Sequence, residues 1–111
     1  MNMETNGFVA WTAKNLQTKK DAGKNFIDCP REDGTIDKYW IEAVTAMLQS
    51  DYPAKGIVIE RLRLDGITDV YQYRMGHYKV EGHQWGQSAL MIPLNDWMLL
   101  EAKARVDGTI L

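Results

Sequence analysis

The sequence has few cysteines and histidines, the residues that form the disulfides of small secreted domains or bind metal ions. Its 111 residues include one cysteine, Cys29, and two histidines, His77 and His83. A single cysteine excludes an internal disulfide and a cysteine-rich zinc site. On one continuous strand the two histidines would lie about 20 Å apart, whereas the ligands of one zinc ion lie about 2 Å from it. The sequence therefore predicts neither a disulfide framework nor a metal site.

Long hydrophobic runs are also missing. No apolar stretch reaches the roughly 18 residues that a membrane-spanning helix needs. The first residues do not combine a basic segment with an apolar run, as a secretion signal would. We therefore expect a cytoplasmic protein with no membrane attachment.

Neither sign of charge is in clear excess. The chain has 13 Lys and Arg against 15 Asp and Glu, which gives a net charge of −2, whereas proteins dedicated to nucleic acids usually carry a basic excess. The glycines at 76, 82 and 86 lack the spacing of a phosphate-binding loop. Asp28 beside Cys29 disfavours a thiolate nucleophile. The sequence thus shows no catalytic signature, and we expect no cofactor.

The length and composition that are present fit one globular domain over residues 1–111. Apolar residues make up 45% of the chain and charged residues 25%, as in ordinary globular proteins. A chain of this size can bury a modest core without disulfides or metals. Residues 1–6 are polar and are expected to be disordered.

The stretch 57–84 alternates in a way that predicts two β-hairpins. Asp65-Gly66 would form the first tight turn, because glycine tolerates the positive φ that two-residue turns require. Gly76-His77 would form the second. In this register one face of the hairpins carries mostly apolar side chains, and the other carries most of the charged ones.

Residues 36–50 predict the main amphipathic helix. Apolar side chains recur there at helical spacing, with no glycine or proline before Pro53. A shorter helix is expected over residues 96–106, closed by Gly108. Its buried side would consist of Trp97, Leu100 and Ala104.

Further strands are expected over residues 8–14, 25–29 and 88–93. The element order is then ββαββββα, which predicts an α+β fold with about six short strands in a curved antiparallel sheet packed on the main helix. Cone-shaped folds of the nuclear-transport-factor or cystatin kind share part of this order. That similarity is one of element order alone.

Glu60 stands out because the predicted register places its carboxylate on the apolar face, opposite Tyr71 and beside Tyr73. A carboxylate in such a setting can serve as a general acid or base, and a neighbouring tyrosine can orient a polar ligand. These three residues are the candidates for a catalytic or small-ligand site. The alternative is structural: the strand bends so that Glu60 reaches solvent near a cation such as Arg61.

Basic side chains on the predicted charged face form a second candidate site, able to contact phosphates or an acidic partner. They are Arg61, Arg63, Arg74 and Lys79. Trp85, in a polar turn, is a further candidate contact, because exposed tryptophans often anchor interfaces. The alternative for the basic residues is an ordinary solvated sheet face.

These observations favour a small binding or regulatory module that contacts another protein rather than an enzyme. A small-ligand pocket or weak acid–base enzyme around Glu60, Tyr71 and Tyr73 is the alternative. Nucleic-acid binding through the basic face ranks third, because no stacking aromatic shares that face. Four tryptophans and the open edges of an antiparallel sheet also suggest a homodimer.

Overall fold

The computed structural model describes residues 3–111 of the chain, with side chains from residue 7 onward. Residues 1–2 lie outside the described part of the chain, so the expected disorder stays a prediction there, whereas the backbone of residues 3–6 is helical. Within the described residues the chain forms two helices and five strands. In chain order they are α1 (Met3–Asp21), β1 (Phe26–Pro30), β2 (Ile36–Gln49), β3 (Tyr52–Leu64), β4 (Tyr71–Lys79), β5 (Gln84–Trp85) and α2 (Leu94–Asp107).

The five strands form one antiparallel sheet in which each strand pairs with its neighbours in the sequence, in the order β1-β2-β3-β4-β5. The sheet is curled into a half-barrel. The pairing of β2 with β3 shifts between Ile41 and Ala43 and again between Leu48 and Gln49, and such bulges bend a strand. The predicted α+β class with a curved antiparallel sheet is confirmed.

Helix α1 covers one face of the sheet, called here the α1 face. Its Phe8 ring is fully buried against Ala46, Leu48 and Val58. The ring lies directly over Gly56 of β3, where an added Cβ atom would stand only 2.2 Å from the Phe8 ring carbons. The missing side chain at Gly56 therefore sets how closely α1 approaches the sheet.

Helix α2 covers the opposite face, called here the α2 face. Leu100 and Ala104 are buried against Ile57 and Ile59. Because side chains alternate along a strand, Ile57 and Ile59 point towards α2, while Val58 between them points towards α1. The centre of the sheet is thus covered on both sides, which explains an apolar run in β3 that has no polar alternation.

The C-terminal helix predicted from the sequence is confirmed. Gly108 ends it in the left-handed conformation, at φ 80°, and donates its backbone N–H to the Arg105 carbonyl oxygen. Near its start, the buried Asp96 carboxylate accepts a hydrogen bond of 2.8 Å from the Ser50 backbone N–H. One part of the prediction is wrong: Trp97, expected in the buried stripe, is 44% exposed.

The predicted main helix at 36–50 is wrong, because this segment is strand β2. In its second half β2 is buried on both faces, with Met47 packed towards α2 and Leu48 towards α1. Burial on both faces removes the two-residue period, and a short apolar run then fits a helix equally well. The β-branched and aromatic residues that favour a strand in this segment are Ile36, Tyr39, Trp40, Ile41, Val44 and Thr45.

Three shorter segments also differ from the prediction. Residues 8–14, expected as a strand, lie in α1, where Phe8 and Thr12 are buried one helical turn apart. The turn expected at 76–77 lies inside the continuous strand β4. Residues 88–93, expected as a strand, connect β5 to α2 without strand pairing. The element order is therefore αβββββα rather than ββαββββα.

The register between β3 and β4 also differs. The last residues that pair are Arg63 and Tyr71, so seven residues, 64–70, lie between them instead of two, and Glu60 pairs with Arg74 and not with Tyr71. From Tyr71 to Arg74 is a shift of three residues. Since side chains alternate with a period of two, an odd shift moves the side chains of residues 71–75 to the opposite face from the one predicted.

Candidate functional site

A buried ion pair lies on the α1 face, between neighbouring positions of β3 and β4. Glu60 Oε1 accepts a hydrogen bond of 2.7 Å from Arg74 Nε, and the Arg74 Nη2 atom lies 2.7 Å from the same oxygen. The Glu60 side chain is 8% exposed, whereas that of Arg74 is 31% exposed. Glu60 therefore does lie on an interior face, and a guanidinium neutralises it there.

Aromatic rings surround this ion pair. The Arg74 guanidinium lies over the Trp85 ring, 4.6 Å from the ring centroid. The Tyr78 ring stands edge-on to Trp85 and to Trp11 of helix α1, with centroids 5.0 and 5.3 Å apart. Contacts of this kind stabilise a cation at a partly dehydrated site. The aromatic setting therefore holds the cation that neutralises the Glu60 carboxylate.

Tyr78 responds electrostatically to this setting. Burial raises the pKa of its hydroxyl, the nearby Glu60 carboxylate raises it further, and the Arg74 guanidinium acts in the opposite direction. The hydroxyl therefore stays protonated at neutral pH, and a general base is not available at this position.

Trp85, predicted as an exposed contact, is half-buried and packs on the sheet. Its indole lies over Gly76 of β4, where an added Cβ atom would stand 2.1 Å from the indole Cη2 atom. Gly76 therefore serves close packing within a strand and not the turn that the sequence suggested. That Trp85 contacts a partner stays a prediction.

A small cavity opens between α1 and the sheet beside the carboxylate. Its lining includes Glu60, Tyr78, Thr12, Asn15 and Lys19. The volume open to the centre of a water molecule is about 20 Å³. A cavity of that size holds about one water and is far smaller than the ligand pockets of enzymes. The chemistry it allows is a hydrogen-bonded water at the ion pair.

Tyr71 and Tyr73 do not join Glu60, because the shifted register places both on the α2 face. Tyr71 pairs with Arg63, and Tyr73 pairs with Arg61. The Tyr73 hydroxyl accepts a hydrogen bond of 3.2 Å from the Leu111 backbone N–H. The predicted three-residue cluster is therefore wrong as a spatial arrangement.

The basic residues also separate, so the predicted basic patch does not form on one face. Arg61 and Arg63 lie on the α2 face and Arg74 lies on the α1 face, while Lys79 is exposed at the end of β4. Arg61 Nη1 donates to the Gly108 carbonyl oxygen at 2.7 Å and so holds the C-terminal end of α2. That these four residues contact a partner stays a prediction.

His77 is buried next to Ser88, a pair that resembles a base beside a nucleophile. The His77 Nε2 atom lies 3.0 Å from the Ser88 carbonyl oxygen and 3.4 Å from its hydroxyl oxygen. A carbonyl only accepts, so the nearer contact requires a proton on Nε2, which cannot then take one from the hydroxyl. In the part of the chain that the structure describes, no group of three or more His, Cys, Asp or Glu side chains could hold a metal ion.

Helix α2 presents a feature that the sequence analysis missed. Large apolar side chains on α2 and just before it face solvent, and we call this set the α2 surface: Met91, Leu94, Trp97, Met98 and Leu99. Leu94 and Met98 are 70% and 57% exposed. Apolar residues on nearly all sides are typical of a helix that is buried all round. The signal in the sequence was the apolar run from Trp97 to Leu100. In a helix, four consecutive residues point in different directions, so part of this run had to face solvent.

The α2 surface continues into a groove between helix and sheet. Its apolar lining includes Trp97, Tyr73, Met75 and Ile110, and its volume is about 300 Å³. The groove lies beside β4, on the face opposite the Glu60–Arg74 pair. The polar cavity under α1 and the apolar groove at α2 therefore lie on opposite faces of the sheet.

Comparisons with family models, with curated proteins and with solved structures find no match to this chain. Among the described residues, neither helix is both long and apolar enough to cross a membrane.

Proposed function

We propose that this protein is a small cytoplasmic binding module that acts by protein contact, and that the α2 surface is where it binds its partner. The observation that carries this proposal is the exposure of five large apolar side chains on and beside one helix. Leu94 and Met98 lie one turn apart on one side of α2, and large exposed apolar side chains that lie side by side on a small protein usually mark an interaction site. Methionine, leucine and tryptophan are also residue types that protein interfaces use at their centres.

The partner best suited to this surface presents an apolar helical face. Leu94 and Met98 are four residues apart and therefore lie on one side of α2, as a ridge that can enter the groove of another helix. The nearest charges, Glu101 and Arg105, pair with each other at 3.0 Å on the next turns of the helix. Recognition would therefore depend on apolar packing in the centre, with this ion pair at the rim.

The alternatives have weaker support. A ligand-binding or acid–base site at Glu60 would have to work in a cavity with room for about one water, next to a carboxylate already neutralised by Arg74. Nucleic-acid binding would need basic residues on one continuous face, and Arg61 and Arg74 lie on opposite faces.

The test is site-specific photo-crosslinking in native lysate. A photoreactive residue at Met98 should cross-link one defined partner, and the double variant Leu94→Lys/Met98→Lys should fail to capture it, because two charges would have to be buried at the contact. The matched control is Ile36→Lys/Val70→Lys, since these residues are 63% and 58% exposed and lie away from α2. The control should capture the partner as the wild type does.

Two results would contradict the proposal. One is a probe at Met98 that cross-links nothing. The other is capture that survives the α2 variant but is lost in the control, which would move the contact to another surface. Circular dichroism on each variant shows whether the fold is retained, and surface substitutions of this kind usually change stability by less than about 0.5 kcal/mol.

A further inference from the structure

Strand β4 has an edge without a backbone partner. On one side it pairs with β3 along its full length, from Tyr71 to Lys79. On the other side it pairs only with the two-residue strand β5, at Tyr78 and Lys79, and the Gly86 N–H donates to the His77 carbonyl oxygen. The chain then leaves the edge for the α2 face, and residues 71–75 lie beyond it.

The direction of the backbone groups along this edge follows from the His77 contact. The N–H and C=O of a strand residue point to the same side and alternate between sides along the strand. Because His77 points its carbonyl outward, Tyr71, Tyr73 and Met75 point theirs outward as well. Among the described residues none supplies a backbone hydrogen bond to these outward groups. We call this row the β4 edge.

Of the devices that usually protect an open strand, the β4 edge has an inward-pointing charge, Arg74, which Glu60 neutralises. Proline, lysine, exposed charge and bulges prevent edge pairing in natural sheets. Residues 71–75 read Tyr-Gln-Tyr-Arg-Met, their pairing with β3 has no register shift, and the one charge, Arg74, turns inward to Glu60. The opposite edge of the sheet, β1, carries exposed Asp28 and ends at Pro30. Of these two edges of the described sheet, the β4 edge is therefore the better suited to accept another strand.

The sequence of the edge is complementary to itself. Two antiparallel copies of the edge are related by a two-fold axis, so the register is fixed by the residue that faces its own copy. Centred on Met75, the second copy would collide with β5; centred on Tyr71, it would leave most of the edge unused. Centred on Tyr73, all three outward residues pair, Tyr71 with Met75 and Tyr73 with Tyr73.

The side chains of that register are compatible on both faces. On the α2 face the cross-strand pairs are tyrosine with methionine and tyrosine with tyrosine, which are favourable combinations. On the α1 face Gln72 of each copy stands opposite Arg74 of the other, so like charges do not meet. The added strand would also lie beside the apolar groove that Tyr73, Met75 and Trp97 line.

We propose that the β4 edge is a homodimer interface, in which two copies of this chain pair β4 with β4 about Tyr73 and join their sheets into one continuous sheet. This site is separate from the α2 surface and does not depend on the partner proposed to bind there. We take the binding partner at this edge to be a second copy of the chain. The register centred on Tyr73 uses the whole edge and brings no like charges together.

The test exploits the pairing of Gln72 with Arg74. Gln72 is exposed, so Gln72→Glu and Gln72→Lys change the interface without entering the core. Sedimentation velocity over a micromolar concentration series should show a dimer for the wild type. Gln72→Glu should lower the dimer dissociation constant and Gln72→Lys should raise it, each by about 2- to 30-fold, because the cross-strand pair occurs twice in a symmetric dimer. The controls Gln17→Glu and Gln17→Lys, on exposed positions of α1, should leave it unchanged.

Three results would overturn the proposal. The first is a wild-type protein that stays monomeric at high micromolar concentration. The second is a dimer in which Gln72→Glu and Gln72→Lys act in the same direction or not at all. The third is a dimer that Leu94→Lys/Met98→Lys dissociates while the Gln72 variants leave it intact, since that dimer would use the α2 surface. A dimer that retains its dissociation constant in Leu94→Lys/Met98→Lys, while that variant loses its cross-linked partner, would support both proposals separately.

Discussion

Replacing Arg74 with methionine should destabilise the protein more than any single change to Glu60. Methionine keeps much of the length and apolar stem of arginine but removes the charge, so Glu60 is left as an unpaired carboxylate. That carboxylate is 8% exposed and cannot recover its hydration without opening the contact with α1. The Arg74 side chain is 31% exposed, so in the reverse variant, Glu60→Gln, the guanidinium can reach water.

The expected magnitudes follow from this difference in exposure. Removing one partner of a buried ion pair costs about 3–5 kcal/mol when the other charge stays buried, and loss of the stacking on Trp85 adds about 0.5–1 kcal/mol. Glu60→Gln keeps the shape and an acceptor oxygen for Arg74, so its effect should be about 1–2 kcal/mol. The double variant should be more stable than Arg74→Met alone, because it holds no buried charge.

Urea unfolding of the wild type, both single variants and the double variant gives this comparison as a double-mutant cycle. If Arg74→Met and Glu60→Gln have equal effects, or if the double variant is the least stable of the four, the Glu60 carboxylate is not desolvated in the folded protein.

Two further predictions concern the same side of the sheet. Gly56→Ala should lower the free energy of unfolding in urea by about 1–3 kcal/mol, because its Cβ would stand 2.2 Å from the Phe8 ring. The control Gly7→Ala, which has open space around it in α1, should be neutral or slightly stabilising. Equal effects of the two variants would refute the close approach of Phe8 to Gly56. The pKa of Tyr78 is raised in the folded protein, so the unfolded chain loses this proton first as the pH rises past the ordinary value of 10.0. The free energy of unfolding should therefore fall as the pH rises from about 10.0 through the folded pKa. Tyr78→Phe should lessen that alkaline fall in urea midpoint, and a fall as steep as in the wild type would contradict the assignment.

The sequence predicted parts of the structure whose signals are local. The C-terminal helix was readable because Gly108 marks its end and Leu100 and Ala104 recur one turn apart. A strand ending at Pro30 was readable because proline cannot extend a strand ladder inward. These signals depend only on a residue and its near neighbours in the sequence, so they do not change with the tertiary structure of the rest of the chain.

The register of β4 could not be read in the same way. The Asp65-Gly66 pair does lie in the connection after β3, with Gly66 at φ 81°, but a second left-handed residue, Asp69 at φ 65°, extends that connection. The extension moved the partner of Glu60 by an odd number of residues. The predicted site therefore lost both tyrosines and gained a guanidinium, although residues 57–64 and 71–75 were correctly predicted as strands.

The sequence by itself determined the α+β class, the strand character of residues 57–64 and the C-terminal helix, and it left open whether the Glu60 carboxylate is buried. Tertiary structure alone decided that residues 36–49 are a strand, since only the arrival of α1 and α2 on opposite faces makes an apolar run without alternation suitable for a sheet. It also decided which residues share a site. The physical reason is that side-chain alternation fixes the faces within one strand, whereas the relation between the faces of two strands depends on the length of the loop that joins them.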